Sequence, residues 1–119
     1  MRSTTTYSAG QVVVVNIGSS NQAGFKVRPA LVVSTAGFHR RLPDLVVCPI
    51  SSQPRFYRRP GVGDHPLKQW ESAGLRHPST VRVSKVLAVE KEIVKRTLGV
   101  VSSEDLARVR EGLRKAFGL

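Results

Sequence analysis

The chain has 119 residues, a length that suits one domain, and 40% of them are apolar, in short runs separated by turn residues. Such a chain can bury a core without disulfides or metal, and its pattern excludes a disordered protein. The net charge is +11, and residues 1–82 alone carry +8. An excess of this size destabilises the compact state, so it predicts an anionic partner: nucleic acid, an acidic protein or an anionic membrane surface. The alternative is a generally basic, solvated surface.

Cysteine usage and hydropathy restrict the location. Cys48 is the one cysteine and follows three apolar residues, which is typical of a small buried hydrophobe. A lone thiol favours a reducing compartment, so we expect a cytoplasmic protein. No apolar run approaches the ~20 residues that span a bilayer, and the N-terminal segment MRSTTTYSAG lacks the apolar core of a secretory signal. We therefore expect no membrane association.

The N-terminal half of the chain contains two predicted strands. We expect residues 1–9 to form a flexible N-terminus and residues 10–119 to form a single domain. The β-branched run Val12–Ile17 predicts a buried strand, and Gly18–Gly24 predicts a flexible loop. Pro29–Ser34 predicts the second strand, with the proline at its first residue.

The middle of the chain alternates connections with strands. Thr35–Asp44 is a predicted connection, and Leu45–Ser51 is a predicted third strand whose internal Pro49 indicates an edge or a bulge. Gln53–Lys68 is rich in proline and glycine and predicts a long loop. Loops of more than about 12–15 residues are uncommon in compact domains and are often functional.

The C-terminal part predicts further strands and one helix. Thr80–Ser84 alternates strictly, so Val81 and Val83 should point inward, and the three polar residues Thr80, Arg82 and Ser84 should point outward. Val86–Val89 and Ile93–Val101 predict two more strands. Ser102 or Ser103 should cap a helix whose apolar stripe is Leu106, Val109, Leu113 and Phe117. Five or six short strands and one helix indicate a mainly β fold, a small barrel closed by the helix.

Few residues of this chain are suited to metal or cofactor chemistry. One cysteine and three scattered histidines have no metal-ligand spacing, and the fragment GVGD lacks the lysine of a phosphate loop. We therefore expect no metal and no cofactor. The segment from Arg55 to Arg59 instead interleaves cations with Phe56 and Tyr57, a combination that suits the phosphates and unstacked bases of single-stranded RNA. The alternative is that these aromatic residues anchor the loop to the core, and Trp70 is more typical of packing than of stacking.

The order and spacing of several segments resemble the MazF/PemK toxin family over roughly residues 10–117. The matching segments are GQVVVVNI, KVRPALVVS, VVCPISSQ, SAGL, STVRVSKVLAVEK and SSEDLARV. The resemblance implies a small SH3-like β-barrel with a C-terminal helix, acting as a homodimer. It also implies a toxin of a type II toxin–antitoxin system that cuts single-stranded RNA, including mRNA, without metal. The expected products carry a 2′,3′-cyclic phosphate and a 5′-OH, and the expected inhibitor is an acidic antitoxin protein.

The resemblance assigns three catalytic positions. Arg28, before Pro-Ala-Leu-Val, matches the family's catalytic arginine and can stabilise a pentavalent phosphorane. Ser51 stands where the family usually has threonine, and Arg82 matches an arginine that some PemK-type members use. Those members have a carboxylate two residues after that arginine, but this chain has Ser84, which is a poor base at neutral pH.

The general base and the RNA contacts are left to other residues. His39, His65 and His77 are possible substitutes for the missing carboxylate, with surface solvation as the alternative for each. The expected RNA-binding residues are Lys26, Ser52, Gln53, Arg55, Tyr57, Arg58 and Arg59. The departure at Ser84 also leaves open an RNA-binding module without catalysis. A third hypothesis is a gyrase-directed toxin on the same type of barrel.

Overall fold

The computed structural model of the chain describes residues 5–18 and 25–119. The strands are β1 (Gln11–Gly18), β2 (Phe25–Val32), β3 (Asp44–Ser51), β4 (His65–Pro66), β5 (Thr80–Val81), β6 (Leu87–Glu90) and β7 (Val94–Val100). The helices are α1 (Ala36–Arg41), α2 (Pro54–Arg58) and α3 (Ser103–Phe117). This architecture confirms the expected mainly β fold with a C-terminal helix.

All strand pairs are antiparallel, and β3 is the branch point of the sheet. The order is β4-β5-β3-β2-β1-β7, and β6 also pairs with β3. On the edge of β3 that does not pair with β2, pairing with β6 ends at Val47 and pairing with β5 begins at Ile50. Pro49 therefore lies where β3 changes partner, as expected for a residue that has no N–H to give to a ladder. The sequence predicted an edge or a bulge at Pro49, and the structure has there the change of pairing partner from β6 to β5.

The sheet is buried on both faces, which explains the unbroken valine run in β1. Val12 belongs to a core cluster with Leu31 and Cys48 on the side of α3. Val13 and Val15 belong to a second cluster on the opposite face. Strands that are covered on both sides are continuously apolar rather than alternating. Burial, with a smaller contribution from Asp64, raises the pKa of the Cys48 thiol to about 12, so this cysteine is an unreactive core residue, as predicted.

The C-terminal helix begins and packs largely as predicted. The Ser102 hydroxyl accepts a hydrogen bond of 3.1 Å from the Asp105 backbone N–H and caps α3. Val109 is fully buried, and Leu106 and Leu113 pack against the same cluster. The predicted stripe is wrong at its last residue, because Phe117 is 56% exposed.

Two predicted connections contain helices. The Thr35–Asp44 connection contains α1, which begins after a Thr35 cap. The predicted loop Gln53–Lys68 contains α2, with Pro54 in its first turn, and the short strand β4. Proline has no N–H to lose at the start of a helix and has a suitable φ, so a proline-rich segment can still begin one.

The alternation in Thr80–Ser84 predicts the structure only in part. Val81 and Val83 are buried, as predicted, but the strand ends at Val81 and a 3₁₀ turn follows at Val83–Lys85. The prediction that Thr80 points outward is wrong, because this residue is fully buried. Pairing of β5 with both β3 and β4 covers both of its sides.

The N-terminal segment is tied to the sheet from Tyr7 onward. Tyr7 is buried, and its carbonyl accepts a 2.8 Å hydrogen bond from Nδ1 of His39. Gly10 donates its N–H to the Val32 carbonyl at 2.8 Å. Residues 1–4 and most of the predicted loop Gly18–Gly24 lie outside the described residues.

Candidate nucleic-acid interface

Arg28 lies in a groove where the β2–β3 ladder ends. That ladder runs from Val32 opposite Val47 to Ala30 opposite Pro49, and Arg28 and Ser51 each lie two residues beyond its end. The exposed Arg28 side chain lines a groove of about 620 Å³, which we call the Arg28 groove. Its polar lining consists of Arg28, Ser52, Arg76, His77, Ser79 and Arg96. Among the described residues that line it there is no carboxylate, so three guanidinium groups give it an uncompensated positive charge.

The two serines after Ile50 occupy different environments. Ser51 is half-buried, and its Oγ accepts a 3.2 Å hydrogen bond from the Gln53 backbone N–H. This contact is the strand-end turn that a serine in this position often makes. Ser52 is exposed and lines the Arg28 groove, whereas Ser51 is not among the lining residues. The structure thus brings Ser52 to the groove and places Ser51 in the adjacent turn.

His77 lies between the Arg28 groove and a second cavity. The second cavity, the Tyr57 cleft, encloses about 530 Å³ and is lined by Ser52, Pro54, Tyr57, Arg58, His77 and Pro78. His77 and Ser52 line both cavities and so stand at their junction. The Ser79 hydroxyl donates a 2.8 Å hydrogen bond to the His77 carbonyl, and Pro78 restricts the backbone between them. The backbone at His77 is therefore restricted, and its exposed imidazole lies in the groove that Arg28, Arg76 and Arg96 also line.

The other two histidines are engaged within the fold. His39 is buried on α1, with its ring nitrogens 2.6 Å from the Ser34 hydroxyl and 2.8 Å from the Tyr7 carbonyl. His65 holds the Asp105 carboxylate at 2.7 Å. The surface-solvation alternative is wrong for His39, and of the three histidines only His77 opens into the Arg28 groove.

The Asp105 carboxylate anchors residues 65–69, the segment that the Tyr57 hydroxyl contacts. It accepts hydrogen bonds from His65 and from the backbone N–H groups of Lys68 and Gln69, both at 3.0 Å. Burial raises the pKa of Asp105, but these hydrogen bonds together outweigh it and hold the pKa below its usual value. Nearby, the Tyr57 hydroxyl donates to the Leu67 carbonyl at 2.9 Å. Tyr57 thus anchors this segment, as one sequence interpretation proposed, while its ring still lines the cleft.

Arg82 is held in a buried ion pair. Its Nε donates to Asp64 at 2.7 Å, and the side chains of Arg82 and Asp64 are 18% and 0% exposed. The guanidinium also stacks on the Phe56 ring, 3.8 Å from the centroid, and lies 3.5 Å from the Ser84 hydroxyl. Phe56 therefore packs against Arg82 rather than standing free. Arg82 does not line the Arg28 groove.

The remaining predicted contact residues lie around α2. Gln53 occupies the N-cap position of this helix without a side-chain capping hydrogen bond, and Arg55, Arg58 and Arg59 are exposed along it. The Arg55 guanidinium also lies over the Phe56 ring, 4.6 Å from its centroid. Lys26 is on β2, but its side chain lies outside the described residues.

Sequence reasoning did not single out Arg76 and Arg96. Arg76 stands beside His77 after the turn at Gly74, and Arg96 is exposed on β7. The close approach of Ala73 and Gly74 to Leu98 and Gly99 brings this turn against β7. For Arg96, the signal in the sequence was the charged pair Lys95-Arg96 inside the predicted strand Ile93–Val101; Arg76 had no such signal.

Metal-binding and membrane-spanning features are not found in the described part of the chain. No three His, Cys, Asp or Glu side chains in residues 5–18 and 25–119 cluster as metal ligands. None of the described helices is both long and apolar enough to cross a bilayer.

The chain thus combines a small β domain, a C-terminal helix and an arginine-lined groove. The chain belongs to the family of PemK-like, MazF-like toxins of type II toxin–antitoxin systems, whose model matches residues 8–117. No curated protein matches the sequence significantly.

Several solved structures have a similar fold. An endoribonuclease in complex with its cognate antitoxin from a mycobacterial species has a TM-score of 0.78 and 21% identity, over 95% of this chain and 96% of that chain. A MazE–MazF complex from Deinococcus radiodurans has a TM-score of 0.75 and 23% identity, over 97% and 99%. Mycobacterium tuberculosis toxin MazF-mt6 has a TM-score of 0.69 and 20% identity, over 90% and 97%. At these identities the likeness shows the shared fold.

Proposed function

We propose that this toxin is a metal-independent endoribonuclease that cuts single-stranded RNA, including mRNA, in the cytoplasm. The observation that carries the proposal is the Arg28 groove, which combines three guanidinium groups with an exposed histidine and a serine hydroxyl. Family membership supports a toxin, and a solved relative of the same fold is an endoribonuclease.

The proposed reaction is transesterification within the RNA. The ribose 2′-oxygen forms a bond to the adjacent phosphorus, and the bond from phosphorus to the 5′-oxygen of the next nucleotide breaks. A base accepts the proton of the 2′-OH, and an acid protonates the departing 5′-oxygen. The products are a 2′,3′-cyclic phosphate and a 5′-OH. Arg28 stabilises the extra charge of the phosphorane, because a guanidinium pairs with two phosphate oxygens at once.

His77 is the proposed proton-transfer group. Ser84 is a poor base, and Asp64, the carboxylate beside it, is occupied by Arg82 and by the Ser84 backbone N–H. Histidine side chains change charge near neutral pH and serve both as acid and as base. Because His77 lies in the same groove as Arg28, it replaces the missing carboxylate in this proposal.

Serine hydroxyls are proposed to orient the scissile phosphate. Ser51 is the position that the family resemblance assigns, and its hydroxyl hydrogen is available because its oxygen acts as the acceptor for Gln53. Ser52 lines the groove directly. Ser51→Ala and Ser52→Ala form a matched pair that shows which hydroxyl contributes to kcat.

A catalytic role for Arg82 stays a prediction. Its contact with the fully buried Asp64 side chain supports a positioning role instead, in which it holds α2 through Phe56. A guanidinium that is committed to one carboxylate has fewer donors left for a phosphate.

The proposed RNA contacts extend from the groove to the Tyr57 cleft. Proline and tyrosine rings beside Arg58 suit an unstacked base next to a phosphate. The further proposed contacts are Lys26, Ser52, Gln53, Arg55 and Arg59. Because the cleft joins the groove at His77, a base bound there would place its phosphate beside Arg28.

The proposed partners are an acidic antitoxin and a second copy of the chain. Solved structures of this fold contain MazF with MazE, and an endoribonuclease with its cognate antitoxin. An acidic chain complements a protein of net charge +11. We therefore expect the antitoxin to compete with RNA. The homodimer is expected from the family resemblance and not from the charge.

The test uses purified toxin, varied single-stranded RNAs and excess EDTA. We expect cleavage, and Arg28→Ala should lower kcat/KM by about 10²–10³-fold without unfolding, because it removes a group that stabilises the transition state. Arg110→Ala, an exposed arginine on α3, is the matched control and should retain activity. Cleavage that requires added metal, or that is equal in Arg28→Ala and wild type, would contradict the proposal.

RNA binding without catalysis is the second candidate, and the serine at position 84 favours it. It predicts salt-dependent RNA binding with intact RNA. Inhibition of gyrase supercoiling by the toxin, without RNA cleavage, would instead support the gyrase-directed hypothesis.

A further inference from the structure

A second basic groove lies beside β7, separate from the Arg28 groove. It encloses about 1190 Å³ between the end of α1, the turn after β6 and the strand β7. Its cations are Arg40, Arg41, Lys91, Lys95 and Arg96, and its one acidic residue among those described is Glu92. We call it the basic groove.

These cations are not explained by ion pairs in the fold. The ion pairs among residues 5–18 and 25–119 do not include Arg40, Arg41, Lys95 or Arg96. Lys91 is held in place, since its Nζ donates to the His39 carbonyl and its N–H donates to the Pro43 carbonyl at 2.9 Å. Like charges gathered on one surface repel each other, so this arrangement is costly unless an anion occupies it.

Arg96 connects the two grooves. It lines both the basic groove and the Arg28 groove, so the two positive surfaces meet at this residue on β7. An anionic chain bound at Arg28 can therefore continue past Arg96 toward the end of α1 without leaving positively charged surface. Lys95 and Thr97, its neighbours on the strand, also line the basic groove.

We propose that the basic groove binds the sugar–phosphate backbone of single-stranded RNA that flanks the cleavage site. This inference rests on the proposed function and adds a second subsite to it. Binding there is independent of sequence, because lysine and arginine contact phosphates and not base edges. Its effect is to raise the affinity for long RNA over that for short RNA.

Charge favours RNA over a second copy of the chain as the occupant. Two copies would bring together surfaces of the same sign, each from a protein of net charge +11. An acidic protein has the complementary charge, but continuity with the Arg28 groove points to the molecule that is cut there. A second copy and an acidic protein therefore become outcomes of the test.

The test compares Arg40→Gln/Arg41→Gln with wild type on two RNAs. After the cut site in a long RNA is mapped by primer extension, a short RNA is made that carries this site with few flanking nucleotides. The control Arg114→Gln/Lys115→Gln removes the same charge from the exposed end of α3, outside both grooves. Binding is measured by fluorescence anisotropy with Arg28→Ala as the common background, and cleavage is measured with Arg28 intact.

We expect Arg40→Gln/Arg41→Gln to bind the long RNA about tenfold more weakly than wild type at low salt, and to bind the short RNA with unchanged affinity. The slope of log K against log salt should fall by about 1.4 for two lost phosphate contacts on a single strand. In cleavage assays KM should rise for the long RNA only, with kcat unchanged.

Three results would overturn the proposal. Equal losses on both RNAs would show that the variant disturbs the Arg28 groove. Unchanged binding of the long RNA would show that RNA does not occupy the basic groove, and would leave an acidic protein as the occupant of complementary charge. A change in sedimentation from dimer to monomer would make this face a subunit interface. If the wild type binds the long RNA but cuts nothing, the proposed function fails, and anisotropy with the long RNA and with a short segment of the same sequence still decides this inference.

Discussion

Removal of the Asp105 carboxylate tests how the segment beside the Tyr57 cleft is held to the fold. In Asp105→Ala the backbone N–H groups of Lys68 and Gln69, each 3.0 Å from this carboxylate, lose their acceptor. A buried donor left without a partner costs about 1–3 kcal/mol, and the lost charge at the start of a helix adds about 0.3–1 kcal/mol. We expect a loss of about 3 kcal/mol in the free energy of unfolding.

Thermal denaturation followed by circular dichroism measures this loss. At about 4 °C per kcal/mol for a domain of this size, Tm should fall by about 12 °C. Glu104→Ala is the matched control, because this side chain is in the same helical turn but 59% exposed. It should cost less than about 1 kcal/mol.

The lowered pKa of Asp105 predicts the sign of the pH dependence. The carboxylate binds its proton more weakly in the folded state, so its stabilising effect is present above the unfolded pKa of about 3.9. It is lost as the pH falls through the lower folded pKa. The stability difference between wild type and Asp105→Asn should therefore be largest at neutral pH and shrink below about pH 4. A loss in Asp105→Ala no larger than in Glu104→Ala, or a difference that is constant from neutral to acid pH, would refute this reasoning.

Three further substitutions test other parts of the structure. Thr80→Val should raise the free energy of unfolding by about 1 kcal/mol in urea denaturation, since the buried Thr80 hydroxyl has no hydrogen-bond partner among the described residues; a destabilised variant would show that the hydroxyl is satisfied. Gly112→Ala should lower the free energy of unfolding by about 1–3 kcal/mol, because the added methyl would collide with the Gly63 carbonyl, although alanine has the better helix propensity. A gain in Tm would contradict this contact. Arg82→Ala should lower the free energy of unfolding by about 3–5 kcal/mol, because it leaves the Asp64 carboxylate buried and unpaired. Lost RNA cleavage with an unchanged Tm would instead assign Arg82 to catalysis.

The fold was predictable where the pattern of burial is regular. The unbroken valine run of β1 predicts a buried strand and the apolar stripe of α3 has a helical period, so their positions and the fold class follow from the sequence. Thr80 was misplaced because a five-residue alternation does not reveal that β5 lies between β3 and β4 in the sheet, nor that both faces of β5 are covered. Phe117 was misplaced because the stripe continues beyond the surface that the core offers.

The candidate site was predictable only for residues within a recognisable local segment. Arg28 precedes a proline in a segment that resembles a known family, and the structure places it in the Arg28 groove. Arg76 and Arg96 join that groove through the contact of the Gly74 turn with β7, which is separated in sequence by more than twenty positions. The Arg82–Asp64 pair likewise depends on a tertiary contact, so sequence spacing gave no sign that the guanidinium is occupied.

End-group analysis of RNA products made in excess EDTA tests the central claim most directly. Wild-type toxin should yield fragments with a 2′,3′-cyclic phosphate and a 5′-OH by mass spectrometry, and Arg28→Ala should yield almost none while it unfolds at the wild-type temperature. Fragments with a 5′-phosphate, or intact RNA with every sequence tried, would contradict the assignment of the Arg28 groove as a site of RNA transesterification.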